Sequence, residues 1–159
     1  MKRCGSLYAL LVLGAFGQQQ YSGPVPPKPD VPYLVHADNL IEPEATEARQ
    51  QKRKNDDVYT VTGASSPART PLAEPIFLMR SEKIAPQDLE LYRFEVRAGN
   101  REVVFPENKK RAPRPYRLVV TRLAEKLYRL EVSENLGLEN GEYSLTPRSS
   151  NQVFCFAVY

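Results

Sequence analysis

Apolar and polar positions alternate with a period of two along most of the chain, and this predicts strands. The pattern is clearest over residues 89–105. Tyr92, Phe94 and Val96 share one face while Arg93, Glu95 and Arg97 point the other way, as a half-buried strand requires. Ala98-Gly99-Asn100 supplies the turn, with a glycine free to take positive φ. Val103 and Phe105 continue the apolar face, so the stretch reads as a hairpin. Further on, Tyr116, Leu118 and Val120 alternate with Arg117 and Thr121. After a turn at Ala124-Glu125-Lys126, Tyr128, Leu130 and Val132 face inward and Arg129 and Glu131 outward. Shorter strands are expected at residues 33–36 (YLVH), 58–62 (VYTVT) and 75–80 (PIFLMR).

Residues 141–159 organise the rest. Tyr143 and Leu145 alternate with Glu142, Ser144 and Thr146, and a turn follows at residues 147–151. Residues 152–159 then carry apolar side chains on both faces: Val153, Cys155 and Ala157 on one, Phe154, Phe156 and Val158 on the other. Such a strand needs cover on both sides and belongs inside the sheet system. Residues 38–57 are read less directly. Ala45, Ala48 and the surrounding Glu, Gln, Lys and Arg have helical propensity, but few large apolar residues are there to bury a helix face. The stretch is therefore weighed as helix against a hairpin turning at Lys54-Asn55-Asp56, with the hairpin preferred. Residues 63–74 form a Pro-punctuated loop, residues 81–88 a connection with one helical turn near Pro86, and residues 106–115 a basic loop.

Eight or nine short strands at fairly even spacing, without an amphipathic helix, predict an all-β domain. The expected architecture is a single β-sandwich, immunoglobulin-like in general plan. The bridged cysteine pair and buried Trp of antibody domains are missing from the sequence. A small β-barrel is the runner-up.

The first residues change the picture of where this domain works. Lys2 and Arg3 precede an apolar run over residues 7–16 (LYALLVLGAF), with Ala15 and Gly17 at the spacing a signal peptidase accepts. We read residues 1–17 as a signal peptide, residues 18–32 as a Pro-rich linker and residues 33–159 as the sandwich domain. The apolar run is about half the ~20 residues that a spanning helix needs, so no transmembrane anchor is expected after cleavage. The location is exported, periplasmic or extracellular. Cleavage removes Lys2 and Arg3, so the 22 basic residues fall to 20 against 19 acidic ones, a net charge of +1 in place of +3. That near-neutral balance, with export, argues against a nucleic-acid partner. Cys4 leaves as well, and Cys155, flanked by Phe154 and Phe156, reads as a small core residue.

Candidate chemistry is sparse. The one histidine, His36, stands near Asp38, Glu42 and Glu44 without a recognised ligand spacing, so no metal site is assigned. Residues 63–66 (GASS) lack the closing glycine and helix context of a nucleophile elbow. No Gly-rich phosphate loop is present, and no cofactor is implied. Carboxylates are numerous, but most stand beside basic residues, as in Arg93/Glu95 and Arg129/Glu131, and read as outward ion pairs. Two basic clusters remain. Residues 49–54 (RQQKRK) run straight into Asp56 and Asp57, whereas residues 108–114 (NKKRAPR) contain no acid. Lys109, Lys110, Arg111 and Arg114 are therefore the residues expected to contact an anionic surface.

The closing stretch 141–147 (GEYSLTP), followed by Asn151 and the FCFAV strand, resembles the end of uncharacterised exported β-sandwich proteins from bacteria, and residues 64–75 are faintly similar. That resemblance implies an exported all-β domain and brings no activity, ligand or site residue. The functional expectation is a non-enzymatic binding module for a protein or cell-envelope component. The alternatives are a carbohydrate-binding module, which needs an exposed coplanar Tyr pair, and a carboxylate-dependent hydrolase, which needs two acids converging in a cleft.

Overall fold

A computed structural model describes residues 20–133 and 137–159. The expected signal peptide, residues 1–17, lies outside them. Within the described residues fourteen strands follow in order: β1 (Tyr33–His36), β2 (Asn39–Ile41), β3 (Glu44–Glu47), β4 (Arg49–Arg53), β5 (Asp56–Thr62), β6 (Arg69–Thr70), β7 (Ile76–Arg80), β8 (Leu89–Arg93), β9 (Glu95–Arg97), β10 (Asn100–Phe105), β11 (Leu118–Ala124), β12 (Leu127–Val132), β13 (Gly141–Pro147) and β14 (Gln152–Val158). Two single 3-10 turns, Pro86–Asp88 and Lys109–Arg111, are the helical elements. No helix among the described residues is long and apolar enough to cross a membrane.

The protein is an all-β sandwich, and no barrel closes among the described residues. The first sheet has the order β11-β12-β7-β1-β2, the second β3-β14-β13-β8 with β6 added in parallel to β14, and the third β4-β5-β10-β9. The second sheet is the middle layer. On one of its faces Leu91, Tyr143, Leu145, Phe154 and Phe156 pack against Leu34, Phe77, Met79 and Leu130 of the first sheet. On its other face Val153 and Cys155 meet Ala48, Val61, Phe94 and Val103. Strand β14, apolar on both faces, thus has a core on each side, as its composition demands.

Fourteen strands replace the expected eight or nine because two segments bend and serve two sheets. The chain leaves β3 in the middle sheet, kinks at buried Ala48 and enters the third sheet as β4. It likewise leaves β8, kinks at buried Phe94 and enters the third sheet as β9. At each corner the amide extends the ladder of the middle sheet by one step: Ala48 N–H donates to Asn151 O at 2.8 Å and Phe94 N–H to Glu142 O at 2.8 Å. Strands that switch sheets at such bends are how sheets join at corners. The remaining extra strands, such as β2 and β6, are only two or three residues long and too short to show a period.

Residues 38–57 contain the preferred hairpin: β4 pairs with β5 through a turn in which Lys54 takes φ 56°. The hairpin of β9 and β10 turns at Ala98-Gly99, φ 50° and 77°. These twin positive values match the twist of a two-residue connection. One expected core position is corrected. Val96 is 54% exposed, because the kink at Phe94 moves it onto β9, the edge of the third sheet. The polar positions of β13 also differ from a half-buried strand: Glu142 and Ser144 are buried, since that face looks at the third sheet and not at water.

The Pro-rich stretch is fastened to the first sheet before β1 begins. Asp30 N–H donates to Arg80 O at 2.7 Å, and Arg80 Nη2 donates to Pro27 O at 3.0 Å. The Asp30 carboxylate accepts from the backbone N–H groups of Glu82, Lys83 and Ile84 at 2.8–3.1 Å. Desolvation opposes ionisation of this carboxyl, but the three amides outweigh it and hold its pKa below the ordinary value.

Candidate functional site

The two corners set the shape of the space between the middle and third sheets. Tied at Ala48 and Phe94, the two sheets enclose a wedge of space that holds the second core and, at one end, a cavity. Along β10 the positions facing this wedge are Arg101, Val103 and Phe105, opposite Val61, Tyr59 and Asp57 of β5. The interior therefore grades from a buried charge at one end, through an aliphatic middle, to an aromatic opening at the other.

At the opening the wedge is a cavity of about 470 Å³, within the range of small-molecule sites. Its walls come from both sheets: Asp57, Tyr59 and Phe105 from the third, Glu90 and Tyr92 from the middle one, with Gln50 at the side. Tyr59 and Phe105 meet edge to face, centroids 5.6 Å apart at 87°, and Tyr92 and Phe105 do the same at 5.5 Å and 78°. Tyr92 Oη donates to Glu90 Oε2 at 2.9 Å, and Glu90 Oε1 accepts from Arg148 Nε at 3.3 Å. Burial and then Glu90 raise the Tyr92 phenol well above its ordinary pKa, so it stays neutral. Asp57 accepts from Lys52 Nζ at 3.0 Å, which holds its carboxyl below the ordinary value.

At the closed end Arg101 is wholly buried. Its guanidinium donates to both oxygens of Glu44, at 2.6 and 3.0 Å, to Gly63 O at 2.9 Å and to Thr62 O at 3.0 Å. Burial is the largest single influence and depresses the Arg101 pKa, but the hydrogen bonds to Glu44 and the charges of Glu44 and Glu142 together outweigh it and the net direction is upward. Glu142 stands 3.9 Å from the same guanidinium and accepts from Ser65 Oγ at 2.6 Å and Ser66 N–H at 2.9 Å. Ser65 and Ser66, considered above for a nucleophile elbow, thus clamp a loop to the middle sheet. Cys155 lies under this cluster, fully buried, and burial pushes its thiol up to about 12, against the opposing pull of Arg101. A thiol so buried stays protonated at neutral pH and is a poor nucleophile.

The basic residues lie at the aromatic end. Lys109–Arg111 form the 3-10 turn after β10, capped where Asn108 Oδ1 accepts from Lys110 N–H at 3.1 Å. Lys109, Lys110, Arg111 and Arg114 are exposed and carry no ion pair among the described residues. The fold adds members of the other basic run to them: Lys52, Lys54 and Lys109 line one shallow depression of about 590 Å³ beside Phe105. Asn55 Nδ2 donates to Glu107 Oε2 at 2.9 Å and Glu107 N–H to Asp56 Oδ1 at 3.2 Å, which pins the two segments together. From the first run Arg53, itself partly exposed, is committed to buried Glu102, forked onto it at 2.8 and 3.0 Å.

His36 ends β1 with its side chain exposed. Arg129 pairs with Glu131 along its own strand at 3.0 Å, whereas Arg93 reaches Glu139 at 2.6 Å instead of Glu95. Residue-type reasoning passed over Arg101, Glu102 and the cleft walls. One signal for Arg101 was available: it stands two and four residues before Val103 and Phe105, on their face, so strict alternation places it inside. Comparison with protein-family models, curated proteins and solved structures returned no match.

Proposed function

We propose that the protein is an exported, non-enzymatic β-sandwich module whose basic end docks on an anionic component of the cell envelope. The observation that carries this reading is the meeting of two basic segments, far apart in sequence, around one depression that Asp57 and Glu107 also border, at the end where Lys109, Lys110, Arg111 and Arg114 form no ion pair among the described residues. Exposed unpaired cations lose little on meeting an anionic surface, and each contributes roughly 1 kcal/mol there at moderate salt. Four of them amount to an affinity change on the order of a hundredfold or more.

A carbohydrate-binding module draws less support, because the cleft rings stand edge to face and offer no flat platform. A hydrolase draws less still: Asp57 is held below its ordinary pKa by Lys52, where a general acid is raised. The test is co-sedimentation with vesicles containing anionic lipid, comparing wild type with Lys109→Gln, Lys110→Gln, Arg111→Gln and Arg114→Gln combined. The variant should bind at least about tenfold more weakly, with an unchanged melting temperature. Equal binding by the folded variant removes the basic end from the function.

A further inference from the structure

We propose that the cleft between the middle and third sheets is a receptor for a small quaternary ammonium compound of the choline type. Tyr59, Phe105 and Tyr92 form consecutive walls close to right angles, with centroids 5.5–5.6 Å apart. That arrangement lines a box and is a poor platform for a flat ring. The negative face of an aromatic ring attracts a cation most strongly where water is displaced, and boxes of such rings are how alkylated ammonium groups are held.

Charge points the same way. The cavity is lined by two carboxylates, Asp57 and Glu90, one from each sheet, and by no Lys, Arg or His. Their present partners sit outside it on exposed side chains: Lys52 is 65% exposed and Arg148 is 62% exposed. Exposed pairs of this kind are weak and exchange readily, so both carboxylates keep the capacity to face a cation within the box. Tyr92 is oriented by its hydrogen bond to Glu90, which couples one wall to one charge. A quaternary group suits the site better than a primary amine. It has no N–H donors to leave unsatisfied against ring faces and is less costly to strip of water. Asp57 and Phe105 also border the basic depression, but Tyr59, Tyr92 and Glu90 do not, and the ligand has the opposite charge, so neither reading depends on the other.

The experiment titrates the full chain with choline chloride, following the ring resonances of Tyr59, Tyr92 and Phe105 by NMR, with sodium chloride as the ionic-strength control and ethanolamine as the unmethylated comparison. Choline should shift these resonances saturably and bind at least about fivefold more tightly than ethanolamine, while Tyr59→Leu and Glu90→Gln each weaken choline binding by about fivefold or more. Circular dichroism melting identifies which variants remain folded, and Tyr59→Phe, which keeps the ring, should retain binding. Glycerophosphocholine is the second arm: tighter binding than choline assigns the group to a lipid headgroup, equal binding to a free compound, and both support the site. Shifts no larger than those with sodium chloride, equal affinity for ethanolamine, or unchanged binding by folded Tyr59→Leu overturn it.

Discussion

Replacing Arg101 with Met tests the account of how the wedge is closed. Met keeps most of the volume and removes the charge and every donor. Four hydrogen bonds disappear. Glu44, whose side chain is only 25% exposed, then faces no cation, and Glu142 loses its neighbour at 3.9 Å. Breaking a buried ion pair by removing one partner costs about 3–5 kcal/mol. The partial exposure of Glu44 favours the lower part of that range, and the orphaned carbonyls of Thr62 and Gly63 add about 1 kcal/mol each where water does not reach them. The expected loss is roughly 3–5 kcal/mol, a large share of the ~5–15 kcal/mol that holds a domain together. At about 2–4 °C per kcal/mol this lowers the melting temperature by roughly 6–20 °C. The Arg101 pKa is raised above its already high ordinary value. Its contribution is therefore fully present at every pH below that value, and the penalty should be flat from neutral to mildly alkaline pH. Urea unfolding followed by circular dichroism measures it. Adding Glu44→Gln to Arg101→Met should recover about 1–3 kcal/mol relative to the sum of the single changes. A loss below about 1 kcal/mol, or strict additivity of the two changes, would falsify the charge-pair explanation.

The other predictions concern the fastening of the Pro-rich segment and the buried thiol. Asp30→Asn should lose about 1–2 kcal/mol near neutral pH, because the ionised carboxylate accepts from three backbone amides. Since the folded pKa is depressed below 3.8, this stability is present above 3.8 and disappears as pH falls through the lowered value. The difference between wild type and variant should therefore shrink as pH falls below 3.8, and a difference that does not shrink with acidification contradicts the assignment. Cys155, with its thiol pushed up to about 12 by burial, should resist alkylation in the folded protein and react only as fast as the domain opens. Stoichiometric labelling within minutes under native conditions would show that the second core is not closed.

Much of the fold was legible in the sequence because a strand writes its burial directly into a period of two. The double-sided apolar pattern of residues 152–159 called for cover on both faces, and β14 has a core on each. The hairpins at Lys54-Asn55 and Ala98-Gly99 were readable because turn geometry depends on neighbouring residues. The basic character of Lys109, Lys110, Arg111 and Arg114 was equally plain, and so was Cys155 as a core residue.

The sites were not legible. Nothing at Ala48 or Phe94 announces that the chain there changes sheets, since a kinked strand keeps the same alternation on either side of its bend. Those two kinks decide that Glu142 and Ser144 face protein and not water, that Val96 is exposed, and that Tyr59, Tyr92 and Phe105 pack on the second core and wall a cleft beside it. Joining Lys52 and Lys54 to Lys109, or Arg101 to Glu44 across 57 positions, likewise depends on pairing between distant strands. Local pattern reports which face of a strand avoids water. Only the stacking of one sheet on another determines what that face meets.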